Sequence, residues 1–374
     1  MEIKVIKKRE IILHVGLHKT GTTSIQRTLF NEENNQILEK KGYIYPRSWP
    51  SNHSIPIYSV FSEHPERYHI NIRNGYTTAN IIAKNQEYLR NFEKEIVNRG
   101  KSKIIISGED ISVLPHENLQ AFKKYIMSLF QEETKVTVMM YLRNPVSWSI
   151  SNIQEIIKSG GFYETALTHM NTTYKNNFKN KIEKFIQVFG KQNIKLYSFE
   201  ETLPHQYGVI GHFLSSLNFK ESEINQFHIQ KANESISLIA GNILSYINVR
   251  IPMIYNGKIN ENRAQRDYVP LLNIKGSKFD IPISDKIKIF ESRKEDTIWL
   301  RDNYGIDYSN LSGVQDSNLK YEFTEEIILS IKKAYYQLSP PLKKLVEEYL
   351  KIQLEKNSNA RSKKLILKLL GEIS

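Results

Sequence analysis

The residues best equipped for chemistry lie close to the start of the chain, in Gly16-Leu17-His18-Lys19-Thr20-Gly21-Thr22-Thr23-Ser24. Gly16 and Gly21 have the spacing of a nucleotide-phosphate loop, in which backbone N–H groups and a helix N-terminus cradle the anion. In an NTPase, lysine directly follows the second glycine, where it reaches the terminal phosphates while a hydroxyl holds Mg²⁺. Here Thr22 occupies that position and the lysine comes earlier, at Lys19. The loop therefore suits a donor with a single 5′-phosphate and a breaking bond close to Lys19.

Three further groups carry chemical potential. Arg143, in Arg143-Asn144-Pro145, ends an apolar run and can fork onto a phosphate, with Pro145 opening the next helix and Ser151 two turns along it. Glu109 and Asp110 follow Ile104-Ile105-Ile106-Ser107-Gly108, and burial there would lift a carboxyl toward the range of a general base. The alternative is that one of them caps the next segment or pairs with a lysine. His53, in Ser51-Asn52-His53-Ser54, is a second candidate base, although most loop histidines are simply solvated. No His, Asp and Glu set stands at metal-ligand spacing, so no metal is expected.

These side chains need a scaffold that brings loops together. Short β-branched runs at 11–15, 42–46, 103–107, 136–142 and 194–199 predict strands. Helical spacing at 24–41, 81–98, 117–129, 145–158 and 177–189 predicts the intervening helices. That alternation predicts an α/β fold, a P-loop-like three-layer sandwich with a central parallel sheet flanked by helices. Ligands then belong at the carboxyl ends of the strands. Residues 47–80 read as a long loop, and beyond about 230 the pattern turns helical around a polar stretch at 255–285. The tail from Phe323 reads as helices broken at Pro340-Pro341. The expected division is an α/β domain over 1–315 and a helical C-terminal extension over 316–374.

Residues 14–24 resemble the 5′-phosphosulfate loop of sulfotransferases that use 3′-phosphoadenosine-5′-phosphosulfate (PAPS). Many members have proline before the lysine, where this chain has His18. Arg143 leading Ser151 by eight positions resembles the same family's 3′-phosphate motif. Lys231-Ala232-Asn233-Glu234-Ser235 is similar to an Asn-x-Ser element near the nucleotide in bacterial members, although Ser235 equally suits the cap of a helix from Ile236. Trp299 to Gly305 looks like the family's closing helix and turn. The resemblance implies sulfuryl transfer from PAPS to a hydroxyl acceptor, leaving 3′-phosphoadenosine-5′-phosphate (PAP). It places His18, Lys19, Thr20, Gly21, Thr22, Thr23, Ser24, Arg143, Ser151, Asn233 and Ser235 around the donor. Lys19 would support the leaving oxygen, and Glu109 or His53 would act as base.

Composition narrows the alternatives. The 374 residues carry 52 Lys plus Arg against 40 Asp plus Glu, a formal charge of +12, which implies anionic partners. No nucleic-acid-binding signature accompanies that charge, so nucleic acid is not expected. The absence of cysteine excludes thiolate chemistry and disulfides. The charged start and the lack of a long apolar run lead to the expectation of a cytoplasmic, bacterial protein. The acceptor class that fits is a carbohydrate, such as a surface polysaccharide or its precursor. The basic, apolar segment Ser362–Leu370 could touch an anionic membrane or pack on its own domain. The rival readings are a magnesium-dependent nucleotide kinase and a non-enzymatic basic protein that binds nucleic acid or acidic polysaccharide.

Overall fold

The computed structural model describes residues 10–98, 103–129, 134–172, 178–231, 235–255, 258–264, 266–309 and 322–373. The chain divides into two compact units, each drawn from three segments. The first comprises 1–144, 177–232 and 296–307, and the second 145–176, 233–295 and 308–374. Besides the tail, the second unit therefore takes in two earlier stretches of chain.

The first unit is built on a five-stranded parallel sheet. Its strands are β1 (Glu10–His14), β2 (Tyr43–Ile44), β3 (Lys103–Ser107), β4 (Lys135–Leu142) and β5 (Ile194–Ser198), in the order β2-β3-β1-β4-β5. The Ile-rich runs form central strands because helices cover both faces, and Ile11, Ile105 and Ile106 are fully buried. In register, His14 of β1 lies opposite Ser107 of β3 and Met139 of β4. The chain leaves β1 for one side of the sheet and later crosses to the other. The loops after β1, β3 and β4 thus emerge together at a topological switch point. One face is sealed by Ile12, Ile25, Leu29, Met139, Tyr141, Phe213 and Leu214.

Several predicted boundaries shift. The helix expected over 24–41 is two helices, Thr22–Phe30 and Glu32–Lys40, because Asn31 leaves the helical conformation and its side chain caps the second through Asn34 N at 3.1 Å. The expected loop at 47–80 contains helices Ser54–Phe61 and His69–Arg73, and a long helix begins at Thr78. Their shortness and, in the first, Pro56 within the helix concealed them; Ile57 and Tyr68 are buried anchors. The helix Lys294–Tyr304 ends on Gly305 at φ +70°, whose N–H bonds Arg301 O at 2.9 Å, an ordinary left-handed stop.

The second unit is helical around the apolar helix Leu238–Arg250, with Pro145–Lys158, Glu325–Tyr336, Pro340–Lys356 and Ala360–Ile373 contributing to its core. The tail helices are separated at Pro340-Pro341 as expected: Glu325–Tyr336 ends before them and Pro340–Lys356 starts on them, since a first turn needs no donor from proline. Ile366 and Leu369, from the segment considered for membrane contact, are fully buried in this core. Within the polar stretch at 255–285, buried Arg263 bonds Asp267 at 2.6 Å, Asn248 Oδ1 at 3.0 Å and Ile251 O at 2.6 Å. Among the described residues no helix is long and apolar enough to cross a membrane.

Candidate active site

The loop after β1 is shaped by close approach and by left-handed backbone. A Cβ on Gly16 would stand 2.7 Å from Thr22 Oγ1 and 2.8 Å from His14 Nε2, so only glycine lets the backbone pass over both. Lys19 has φ +68° and Gly21 φ +78°, a pair of left-handed residues around Thr20. Such a conformation on a lysine is uncommon and costs energy that the surroundings must supply. Thr20 is fully buried and its hydroxyl donates to Leu17 O at 2.6 Å. It therefore shapes the turn instead of offering that proton to a phosphate, which corrects the role expected for it.

Gly21 is the N-cap of the helix Thr22–Phe30 and provides no side-chain cap. The first-turn N–H groups, those of Thr22 and Thr23 foremost, thus face outward, as in an anion-binding helix start. Thr22 Oγ1 and His14 Nε2 are buried polar atoms with no hydrogen-bond partner. Both lie beneath Gly16, and such atoms call for a partner that the protein alone does not provide. Thr23 is half-buried and Ser24 buried, the latter with its N–H on Gly21 O at 3.0 Å. The residues present therefore fit a 5′-phosphate: backbone N–H groups, the Thr22 hydroxyl and the Lys19 ammonium would hold it.

Arg143 emerges from the carboxyl end of β4 and donates from Nη1 to Lys19 O at 2.7 Å, its guanidinium 5.0 Å from the Phe199 ring centroid. It thus braces the strained residue of the phosphate loop. Ser151 is half-buried on Pro145–Lys158, in the second unit, whereas Arg143 belongs to the first. Asn233 lies outside the described residues. Ser235, also in the second unit, donates to Gln154 Oε1 at 2.9 Å. It is not a helix cap: the helix begins at Leu238, and Ser237 accepts from Ala240 N at 3.2 Å.

The acidic side of the site is the short helical turn Glu109–Val113 after β3. Glu109 Oε2 accepts from Gln26 Nε2 at 3.0 Å, and Oε1 from Asn52 Nδ2 at 3.3 Å. Burial, then the Asp110 charge, raises its pKa above the usual carboxylate value. Asp110 Oδ2 accepts from Tyr68 OH at 2.7 Å, and Oδ1 lies 3.3 Å from His18 Nε2. The turn is held from the far side by Lys184, whose Nζ donates to Ser112 O at 2.9 Å and Leu114 O at 2.6 Å. One turn earlier on the same helix, burial and the neighbouring Lys184 charge bring the pKa of Lys181 down to about 8.

His53 is not a catalytic base. It is fully buried, Nδ1 accepts from Ser107 N at 3.2 Å, and Nε2 donates to Pro46 O at 3.0 Å. The ring stacks on Tyr45 at 4.3 Å, and burial lowers its pKa to about 3. Both nitrogens are committed to backbone, so this imidazole stitches the segment before Ser54 onto β3. His14 resembles it, buried with Nδ1 2.8 Å from Ser107 Oγ and a pKa likewise pushed down to about 3.

The sequence reading missed the partnership of His18, Asp110 and Tyr68, the amide clamp of Gln26 and Asn52, and the two lysines on Phe178–Phe189. Lys181 and Lys184, one turn apart on an otherwise apolar face, were the available signal.

No protein-family model matches the chain, and no curated protein does. Among solved structures, the chain is similar to the crystal structure of a sulfotransferase from Alicyclobacillus acidocaldarius. The two share 15% identity over 65% of this chain and 93% of that one, with a TM-score of 0.38.

Proposed function

We propose that the protein is a sulfotransferase that moves a sulfuryl group from PAPS to a hydroxyl acceptor, with a carbohydrate as the acceptor class. The observation that carries this reading is the phosphate loop itself. Lys19 is locked in a left-handed conformation ahead of Gly21, and a buried, unpartnered Thr22 hydroxyl opens the helix where an NTPase has its lysine. PAPS is the donor substrate and supplies the activated sulfuryl group. The chain binds its 5′-phosphate at the helix start, and Lys19 neutralises the charge that develops on the leaving oxygen. Arg143 keeps Lys19 in place. The carboxyl-edge turn Glu109–Val113 meets the same loop through Asp110 and His18, which supports a proton-accepting role for this edge in the proposed reaction. The surplus of positive charge suits a surface polysaccharide or its precursor as acceptor.

The test is turnover. Purified protein with ³⁵S-labelled PAPS and a panel of soluble oligosaccharides should release PAP and label a carbohydrate without added magnesium, and Lys19→Ala should abolish the transfer. Magnesium-dependent consumption of ATP with no use of PAPS would instead establish the kinase.

A further inference from the structure

The outer face of the second unit's tail carries cations and apolar side chains together. Two of its helices, Glu325–Tyr336 and Ala360–Ile373, run side by side in the same direction. At one end Arg361 Nη2 lies 3.8 Å from Glu325 Oε1. At the other, Lys332 Nζ donates to Glu372 Oε2 at 2.7 Å and the Tyr336 hydroxyl donates to Glu372 O at 3.3 Å. Each helix turns one side to the core, through Ile327, Ile331 and Tyr335 on the first and Ile366, Leu369 and Leu370 on the second.

With about 3.6 residues per turn, the opposite sides are fixed by those anchors. The first helix presents Leu329, Lys333 and Tyr336 outward, and the second presents Arg361, Lys364, Leu367 and Lys368, all of them exposed. Leu329, Tyr336 and Leu367 are 53%, 55% and 57% exposed, so they take no part in the core their helices build. Exposed apolar residues scattered singly are ordinary, but three interleaved with cations on two abutting helices form a patch. The two helices hold six Lys and Arg against three Glu, a surplus of positive charge on this face. Of those acids, Glu325 stands beside Arg361, and Glu372 lies between Lys332 and, at 4.0 Å, Lys368.

We propose that this face docks the protein on an anionic membrane surface. The lysines and Arg361 would meet lipid phosphates, while Leu329, Tyr336 and Leu367 enter the headgroup layer. The mixture of side chains selects that partner. A bilayer carries an apolar layer directly beneath its charge, whereas an acidic polysaccharide would reward the cations and leave two leucines with nothing to enter. The apolar half of Ala360–Ile373 is committed to the core, so the contact is shallow and reversible, and it needs charge and apolar insertion together. Docking of this kind is independent of the reaction performed elsewhere in the chain.

The experiment is co-sedimentation of the full-length protein with two kinds of vesicle, phosphatidylcholine alone and phosphatidylcholine with about one-third phosphatidylglycerol. Wild type should bind only the anionic vesicles, at least tenfold more weakly at about 500 mM than at about 50 mM NaCl, because surface charge is screened. Lys364→Glu/Lys368→Glu should weaken binding at least tenfold. The charge-matched pair Lys94→Glu/Lys124→Glu, at exposed positions of the first unit, should stay within threefold of wild type. Leu329→Ser/Leu367→Ser keeps every charge and should weaken binding at least threefold. All these positions are exposed, so the melting temperature of each variant should match wild type. Failure of wild type to bind anionic vesicles overturns the proposal. So does an equal loss in the two charge-matched pairs, which would assign the binding to overall charge, or full binding by the leucine pair. Binding of dextran sulfate that is lost in Lys364→Glu/Lys368→Glu, without binding to vesicles, would make this a polyanion site and also overturn it.

Discussion

Arg143 Nη1 donates to the carbonyl of Lys19 across 2.7 Å, joining the end of β4 to the one non-glycine residue of the phosphate loop that sits in left-handed backbone. A hydrogen bond from a charged donor contributes about 1.5–3 kcal/mol. Arg143→Ala should therefore weaken PAP binding roughly 10- to 100-fold by that conversion, and Arg143→Lys should restore only part of it because the ammonium lacks the fork. Calorimetric titration measures both.

Gly16→Ala places a methyl group 2.7 Å from Thr22 Oγ1 and 2.8 Å from His14 Nε2, both on side chains rooted in regular elements. Forced repacking of that kind costs about 1–3 kcal/mol. The urea midpoint should fall accordingly, and donor binding should drop further than the stability loss explains, since the Thr22 hydroxyl must turn away from the loop.

His14 and His53 are both held near pKa 3 by burial, against 6.5 for an unperturbed imidazole. Between those values the unfolded chain binds a proton at each position that the native state refuses, so stability rises with pH. It is fully present above about pH 6.5 and drains away as pH falls toward 3. Each site contributes a slope approaching about 1.4 kcal/mol per pH unit well below 6.5. Urea titrations at pH 7, 6, 5 and 4 should show this decline, and His53→Gln should remove close to half of the two-site slope. An unchanged slope would mean that the ring is protonated in the native state.

Lys184 reaches two carbonyls of the turn that carries Glu109 and Asp110. Lys184→Met keeps the length of the side chain and removes both bonds. The expected outcome is at least a tenfold loss of PAPS cleavage with PAP affinity unchanged, because the turn loosens while the phosphate loop does not. A fall in PAP affinity equal to the fall in rate would contradict it.

The sheet was legible in the sequence for a specific reason. Parallel strands buried on both faces are continuous apolar runs, and Ile104-Ile105-Ile106 and Val138 to Leu142 are just that. The phosphate loop was legible because its glycines are demanded by backbone geometry at Gly16 and Gly21. What surrounds the loop was not. His18, Tyr68 and Asp110 are far apart along the chain, and only the order β2-β3-β1-β4-β5 places the loops after β1 and β3 side by side. His53 misled because its immediate neighbours are Asn52 and Ser54, which suggest solvent, whereas the fold packs its ring against Tyr45 and Trp49. The helices within 47–80 were hidden for a different reason, since each is only five to eight residues long and the first carries Pro56 inside it.

Calorimetric titration of the wild-type protein with PAP in the presence of EDTA tests the central claim most directly. The account predicts micromolar binding that needs no metal and is lost in Lys19→Ala. Absence of PAP binding, together with binding of ATP only when magnesium is restored, would contradict it.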